Sequence, residues 1–307
     1  VARRRDNGPG GLLVVDKPAG FTSHDVVAKV RGMARTRRVG HAGTLDPMAT
    51  GVLVVGTERA TRLLGHLALT EKEYVATLRL GQETVTEDAE GEITAARGAG
   101  DVDRQRLDAA VGAQTGAISQ VPSAVSAVKV DGKRAYARVR EGEEVQLAAR
   151  PVTVSSFQVH DVRPDTAEDG TPVTDVLVSV VCSSGTYVRA LARDVGAELG
   201  TGGHLTALRR TRVGPYGLDG AHTMEQLQQF VDAEQSLPVV PLGDAAAAAF
   251  ARWDIDEEQA RRIGNGVQLR MPSGSGPGPV AVFGPGGQFV ALVEEREGRA
   301  RSLAVFV

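Results

Sequence analysis

Cysteine is almost missing from this 307-residue chain: Cys182 is the only one. No internal disulfide can form and no cysteine-rich zinc site can be built, and a reducing, cytoplasmic compartment is expected. Long apolar runs are missing too. The longest, LLVV at 12–15, GVLVVG at 51–56 and AAAAAFA at 245–251, fall far short of the ~18 residues of a membrane span. The basic start, VARRRDNGPGG, is not followed by an apolar stretch of signal-peptide length, so neither secretion nor membrane residence is expected. Charge of one sign is not in excess, the net being −3. Several chemical signatures are also absent. There is no GxxxxGK[ST] and no GxGxxG after a strand, so no motif cradles a nucleotide phosphate. There is no HExxH and no i,i+4 histidine pair, so a metal site has little support, and no GxSxG, the usual loop of a serine hydrolase.

What remains is an ordinary globular composition. Apolar residues make up 42% and charged residues 24%, which excludes a wholly disordered or collagen-like chain. At roughly 100–200 residues per domain the length suits two domains. The charge is unevenly spread. Residues 1–66 hold eleven basic and five acidic residues, and 67–120 hold five and ten. Segments 121–150 and 183–216 are again net positive, and the tail from 217 is acidic. A polyanion is bound by a basic face and not by a basic average. If the three positive segments meet in space they form such a face; the equal alternative is plain solvated surface.

Along the chain, GLLVVDK reads as a buried strand that stops at Pro18-Ala19-Gly20. TSHDVVAKVRGMAR reads as a helix, with Thr22 or Ser23 as its cap and Val26, Val30 and Met33 on one face. Residues 35–51 lack helical periodicity and are expected to be a loop. GVLVVG is a strand and residues 58–69 a helix. In YVATLRLG, Tyr74, Ala76, Leu78 and Leu80 share one side of a half-buried strand. Residues 82–92 form an acidic loop and 103–113 a helix. The segment 123–145 contains a strand, a basic stretch and an Asp131-Gly132 hairpin signal. Two strands, 151–162 and 173–185, precede an amphipathic helix at 186–200. Its stripe is Val188, Leu191, Ala192, Val195 and Leu199, and Gly200 is placed to end it. A helix near 224–231 follows. Pro238 and Pro241 mark a boundary near 240, after which short strands dominate. The expectation is a large α+β domain and a small, mostly-β C-terminal domain, without internal repeats.

The chemistry-bearing segment is HAGTLDP. Asp46 stands in a glycine-bounded loop before Pro47 and a buried strand, with Arg35, Arg37, Arg38 and His41 in the eleven residues upstream. A carboxylate in such a place is most often a turn former. Its basic surroundings suit a phosphate-bearing substrate, and a carboxylate near arginine stays ionised, as a nucleophile must.

The run GLLVVDKPAGFTSHDVV…RRVGHAGTLDPMATGVLVVGTERATR resembles the TruB family of bacterial tRNA pseudouridine-55 synthases. The resemblance continues through EKEYVATLRLGQETVTEDAEG, QVPSAVSAVKVDGKRAYARVREG and CSSGTYVRALARDVGAELGTGGHLTALRR, covering residues 11–215 in order. HxGxLDPxAxG followed by KEY and GTYVR is highly specific to that family. A basic, disordered N-terminus is expected at 1–10, and the resemblance implies a pseudouridine-synthase catalytic domain at 11–240, with a mixed, mainly antiparallel sheet flanked by helices. It also implies a thumb at about 123–150 and a PUA-like RNA-binding domain at 241–307.

It implies an isomerase that flips uridine 55 out of the T-loop of tRNA, with Asp46 as nucleophile. Tyr74 would stack on the base and serve in removing its C5 proton, and Arg189 would pair with the nucleophile. His41 would hold the flipped nucleotide, with Tyr187 and Leu208 lining the base pocket. Taken singly, Tyr74 reads better as a core aromatic and Arg189 as part of a surface salt bridge; their order with Asp46 carries the site reading. Lys17 either touches RNA or supports the loop. Lys129, Lys133, Arg134, Arg138 and Arg140 are expected to contact phosphates, Cys182 to sit in the core, and His204 to be structural or RNA-facing. No cofactor, metal or obligatory protein partner is implied, and a monomer is expected. Two departures stand out: Ser184 replaces a frequent lysine before GTY, and Val85 stands where many members have aspartate. The rival readings are a guide-RNA-dependent relative and a tRNA-folding chaperone, the latter also associated with the family.

Overall fold

The computed structural model describes residues 10–123, 129–130, 133–134, 147–272, 276 and 278–307. In chain order its elements begin with β1 (Gly11–Lys17), α1 (Ser23–Met33), β2 (Val39–His41), β3 (Thr50–Thr57) and α2 (Leu64–Leu67). Then come β4 (Lys72–Leu80), β5 (Gln82–Thr84), β6 (Ile93–Ala96), α3 (Arg104–Ala113), β7 (Gly116–Gln120), β8 (Lys129–Val130) and β9 (Lys133–Arg134). Next are the long strands β10 (Arg150–Thr166) and β11 (Pro172–Cys182), followed by α4 (Val188–Leu199) and β12 (Gly203–Val213). The rest comprises β13 (Tyr216–Gly217), β14 (His222–Thr223), α5 (Met224–Asp232), β15 (Val240–Pro241), α6 (Leu242–Ala249), β16 (Ala251–Asp254), α7 (Glu257–Gly264), β17 (Val280–Phe283), β18 (Phe289–Arg296) and β19 (Arg299–Val305). This is an α+β protein with a mixed sheet and a smaller C-terminal sheet. Among the described residues no helix is long and apolar enough to cross a membrane.

Two compact units emerge. Of the described residues, the first holds those within 10–47, 51–69 and 213–307, and the second those within 48–50 and 70–212. In the first, β1 pairs antiparallel with β3, Leu13 opposite Val55, and parallel with β14. Side chains alternate across a strand, and both faces of β1 are buried. Leu13 and Val15 pack with Val26, Val27 and Val30 of α1 and with Met224 and Leu227 of α5. Leu12 and Val14 pack on the other side with Leu63, Leu64 and Leu67, and with Phe283, Phe289 and Phe306 from the C-terminal strands. Those strands form a separate sheet in the order β16-β17-β18-β19.

In the second unit β12, β4, β11, β10 and β7 are ordered as neighbours. β4, β11, β10 and β7 pair antiparallel in turn. Helices α3 and α4 pack together. Gly196 lets α4 approach the start of β12: a Cβ there would lie 2.3 Å from the Gly202 carbonyl carbon. Gly200 ends α4 at φ 76°, the left-handed conformation a glycine adopts without cost.

Three local readings are corrected, and one strand was not read at all. The expected loop 35–51 contains β2, because Val39–His41 pairs antiparallel with Val55–Thr57 at the end of β3. The expected helix 58–69 is a tight 3-10 turn, Glu58–Leu63, followed by the single-turn α2. Glu58 has a positive φ of 49°, and Thr61 Oγ1 donates to its carbonyl at 2.7 Å. The acidic loop 82–92 opens with β5, which pairs with β6. β12 has no counterpart in the sequence reading, its alternation being masked by Arg209, Arg210 and Arg212.

The basic hairpin pairs Lys129 with Arg134 and Val130 with Lys133. The Asp131-Gly132 turn, the side chains of Lys129, Lys133 and Arg134, and Arg138 and Arg140 lie outside the described residues. So does the N-terminal segment 1–9.

Candidate functional site

In the first unit the loop after β2 carries Asp46, and its neighbours on both sides are tied down. On one side, the Leu45 N–H donates to Ser23 Oγ at 2.9 Å, and that hydroxyl donates to the Leu45 carbonyl at 3.2 Å. On the other, the Pro47 carbonyl accepts from Lys17 Nζ at 3.1 Å and from the Gly20 N–H at 2.9 Å. Asp46 itself is half-buried. Gly43, with φ 93°, makes the turn between His41 and Asp46 possible. The His41 ring meets His24, at the exposed start of α1, edge-on with centroids 5.7 Å apart.

Lys17 is fully buried. Its ammonium also donates to the carbonyls of Pro18 at 3.0 Å and Phe21 at 2.6 Å. Of the two roles the sequence left open, this geometry is loop support; an ammonium enclosed by carbonyls cannot reach a phosphate. Arg35, Arg37 and Arg38 are exposed on the turn after α1, together with Lys29 and Arg31 of the helix. That is a basic surface beside the segment that leads to Asp46.

The second unit holds Tyr74, Tyr187, Arg189 and Leu208. Tyr74 is buried on the face of β4 that also bears Lys72, Ala76 and Leu78. Leu208 is buried on the neighbouring strand β12. Tyr187 and Arg189 sit at the start of α4. Tyr187 is the N-cap residue but supplies no side-chain cap. Gln120, 2% exposed, grips it instead: its Oε1 accepts from the Tyr187 N–H at 2.9 Å and its Nε2 donates to the Tyr187 carbonyl at 3.1 Å.

Arg189 is buried, and a cation in the first turn of a helix opposes the helix dipole. A carboxylate offsets this: Asp88 Oδ2 lies 3.6 Å from Arg189 Nε, and both side chains are 4% exposed. Arg189 Nη1 also donates to the Thr86 carbonyl at 2.7 Å and to Ser123 Oγ at 3.0 Å. One turn on, Arg193 binds Glu87 Oε1 at 2.7 Å and the Val121 carbonyl at 2.9 Å. Arg189 and Arg193 thus hold the acidic loop against α4.

Sequence reasoning saw that loop only as acidic. It missed Asp88, Gln120 and Ser123, and it offered Ser23 only as a cap. The available signal was the TxDAxG turn, in which Asp88 Oδ1 accepts from Thr86 Oγ1 and the Glu90 N–H.

His204 is buried and its Nδ1 lies 3.1 Å from the Gln82 carbonyl; burial pushes its pKa down. It takes the structural role of the two considered. Cys182 is core, with burial pushing its thiol up to about 11. Among the described residues no group of three His, Cys, Asp or Glu side chains is placed to hold a metal ion.

Three family profiles match the chain. "TruB family pseudouridylate synthase (N terminal domain)" matches residues 31–188. "tRNA pseudouridylate synthase B C-terminal domain" matches 189–240, and "tRNA Pseudouridine synthase II, C terminal" matches 250–307. The chain is 68% identical over 298 residues to a protein named tRNA pseudouridine synthase B from Streptomyces griseus, covering 97% of each. It is 56% identical over 296 residues to one of the same name from Thermobifida fusca, covering 96% of this chain and 98% of that protein. A solved structure described as "Crystal Structure of a Cbf5-Nop10-Gar1 Complex" is similar with a TM-score of 0.73 and 27% identity, over 97% of this chain and 85% of that one.

Proposed function

The chain belongs to the TruB family of pseudouridylate synthases, and we propose that it converts uridine 55 in the T-loop of tRNA to pseudouridine. The target base is buried in a folded RNA loop, so it is everted before chemistry. The C1′–N1 glycosidic bond then breaks, the uracil turns, and a C1′–C5 bond forms. C5 gives up its proton and N1 takes one up, so atoms and charge balance with no oxidant or reductant.

In this reading Asp46 is the nucleophile. Arg189 serves as its cationic partner, and Tyr74 supplies the stacking face and assists removal of the C5 proton. Stacking of a base on an aromatic ring contributes about 1–3 kcal/mol. Tyr187 and Leu208 line the base, and His41 holds the everted nucleotide. The exposed arginines after α1, with the thumb at 123–150, bind phosphates, which position the RNA without reading its sequence.

The observation that carries this reading is the Asp46 loop. A carboxylate with both neighbours hydrogen-bonded in place is preorganised, as a nucleophile requires and a turn former does not. The C-terminal region from 241 is proposed as a PUA-like RNA-binding domain. The protein is proposed to act in the cytoplasm, as a monomer, without an obligatory protein partner. The test is to incubate the purified chain alone with unmodified tRNA transcript and map pseudouridine. Modification at position 55 is expected; an unmodified transcript overturns the proposal.

A further inference from the structure

Ser23 is the first residue of α1, yet its hydroxyl does not cap the helix. Thr22 does that: Thr22 Oγ1 accepts from the Asp25 N–H at 3.1 Å, and the Asp25 carboxylate accepts from the Thr22 N–H at 2.9 Å. This capping box fixes the backbone at Ser23. The Ser23 side chain points inward, with 1% of the residue exposed. There it takes the N–H and the carbonyl of Leu45 together, at 2.9 and 3.2 Å. Leu45 lies in no strand or helix, so one hydroxyl supplies both bonds that a neighbouring strand would otherwise give it.

We propose that Ser23 is a positioning residue for Asp46, rigidly setting the backbone from which the nucleophile projects. The proposal rests on the isomerase reading above. Asp46 follows Leu45 directly, and the Pro47 clamp on its other side is independent of Ser23. With Leu45 released, the torsions on the N-terminal side of Asp46 loosen while Pro47 stays held. The carboxylate then samples directions away from the reacting nucleotide. Misplacement of a reacting group by about 1 Å costs up to ~100-fold in rate. Phosphate contacts made elsewhere are untouched, so the loss falls on the chemical step and not on RNA affinity.

The test compares Ser23→Thr with Ser23→Val, side chains of one shape that differ in the hydroxyl, with Ser23→Ala as a third variant. Single-turnover pseudouridine formation, tRNA Kd by filter binding and the thermal midpoint are measured for each. Ser23→Val and Ser23→Ala are expected to slow the single-turnover rate by about 10- to 100-fold, with Kd within about twofold of the parent. Ser23→Thr is expected to recover most of the rate. Parent-like rates in Ser23→Val, equal rates in Ser23→Thr and Ser23→Val, or losses of Kd that match those of rate would each overturn the proposal. If the parent chain itself forms no pseudouridine, the functional reading fails instead, which keeps the two failures distinct.

Discussion

Lys17 Nζ donates to the carbonyl of Pro47, thirty residues further along the chain and next to Asp46, at 3.1 Å. The same ammonium binds two more carbonyls, so one buried side chain ties the end of β1 to the proposed catalytic loop. Lys17→Met keeps the length and removes the donor. It is expected to lower stability by about 1–3 kcal/mol, the usual cost of leaving buried acceptors short of a partner. Its tRNA binding should keep the parent's salt slope, because no phosphate contact is lost. A lowered slope with unchanged stability would return Lys17 to the RNA-binding surface.

Asp88 and Arg189 form a buried pair at the start of α4. Removing one member of such a pair typically costs roughly 3–5 kcal/mol. Asp88→Ala should therefore show a large drop in urea-unfolding free energy, and Asp101→Ala, an exposed carboxylate on the surface, should show almost none. Equal, small effects would contradict the assignment.

Lys72 shares a face of β4 with Tyr74, opposite Cys182 on β11. Burial, reinforced by the Arg210 charge, pushes its ammonium down from 10.5 to about 8. The unfolded chain keeps that proton up to about 10.5, so between the two values the unfolded state binds more protons and stability from this group rises with pH. The penalty is present in full below about 8. Relative to the parent, Lys72→Met should be favoured more at pH 7 than at pH 10 in urea titrations. An identical difference at both pH values would contradict the buried-lysine account.

The exposed Arg35, Arg37 and Arg38 are assigned to phosphate contact. Affinity for tRNA should fall steeply with salt, and each of Arg37→Ala and Arg38→Ala should reduce the log–log slope by about 0.7–0.9. A flat salt dependence would argue for plain solvated surface.

Much of the fold was legible because burial imposes simple periods. The alternation of Tyr74, Ala76, Leu78 and Leu80, the stripe of α4 through Val188, Leu191, Ala192 and Val195, and its Gly200 stop stand as read, while Leu199 at the end of the stripe is only half-buried. Asp46 was legible through motif and local charge. β12 was not, because Arg209, Arg210 and Arg212 break its apolar pattern, and Arg210 is 1% exposed despite its charge. Asp88, Gln120 and Ser23 were not, because each works through a partner 22 or more residues away: Leu45 for Ser23, Tyr187 for Gln120 and Arg189 for Asp88. Local sequence marks Asp88 as a turn residue through TxDAxG, but it carries no record of these distant partners.

Asp46 is the proposed nucleophile, and a one-atom change removes that capacity while leaving the rest of the loop intact. Asp46→Asn keeps the shape of the side chain and removes its charge and nucleophilicity. Incubated with unmodified tRNA, that variant should form no pseudouridine at position 55 while binding the RNA with the parent's affinity. Pseudouridine formation at the parent's rate would contradict the account.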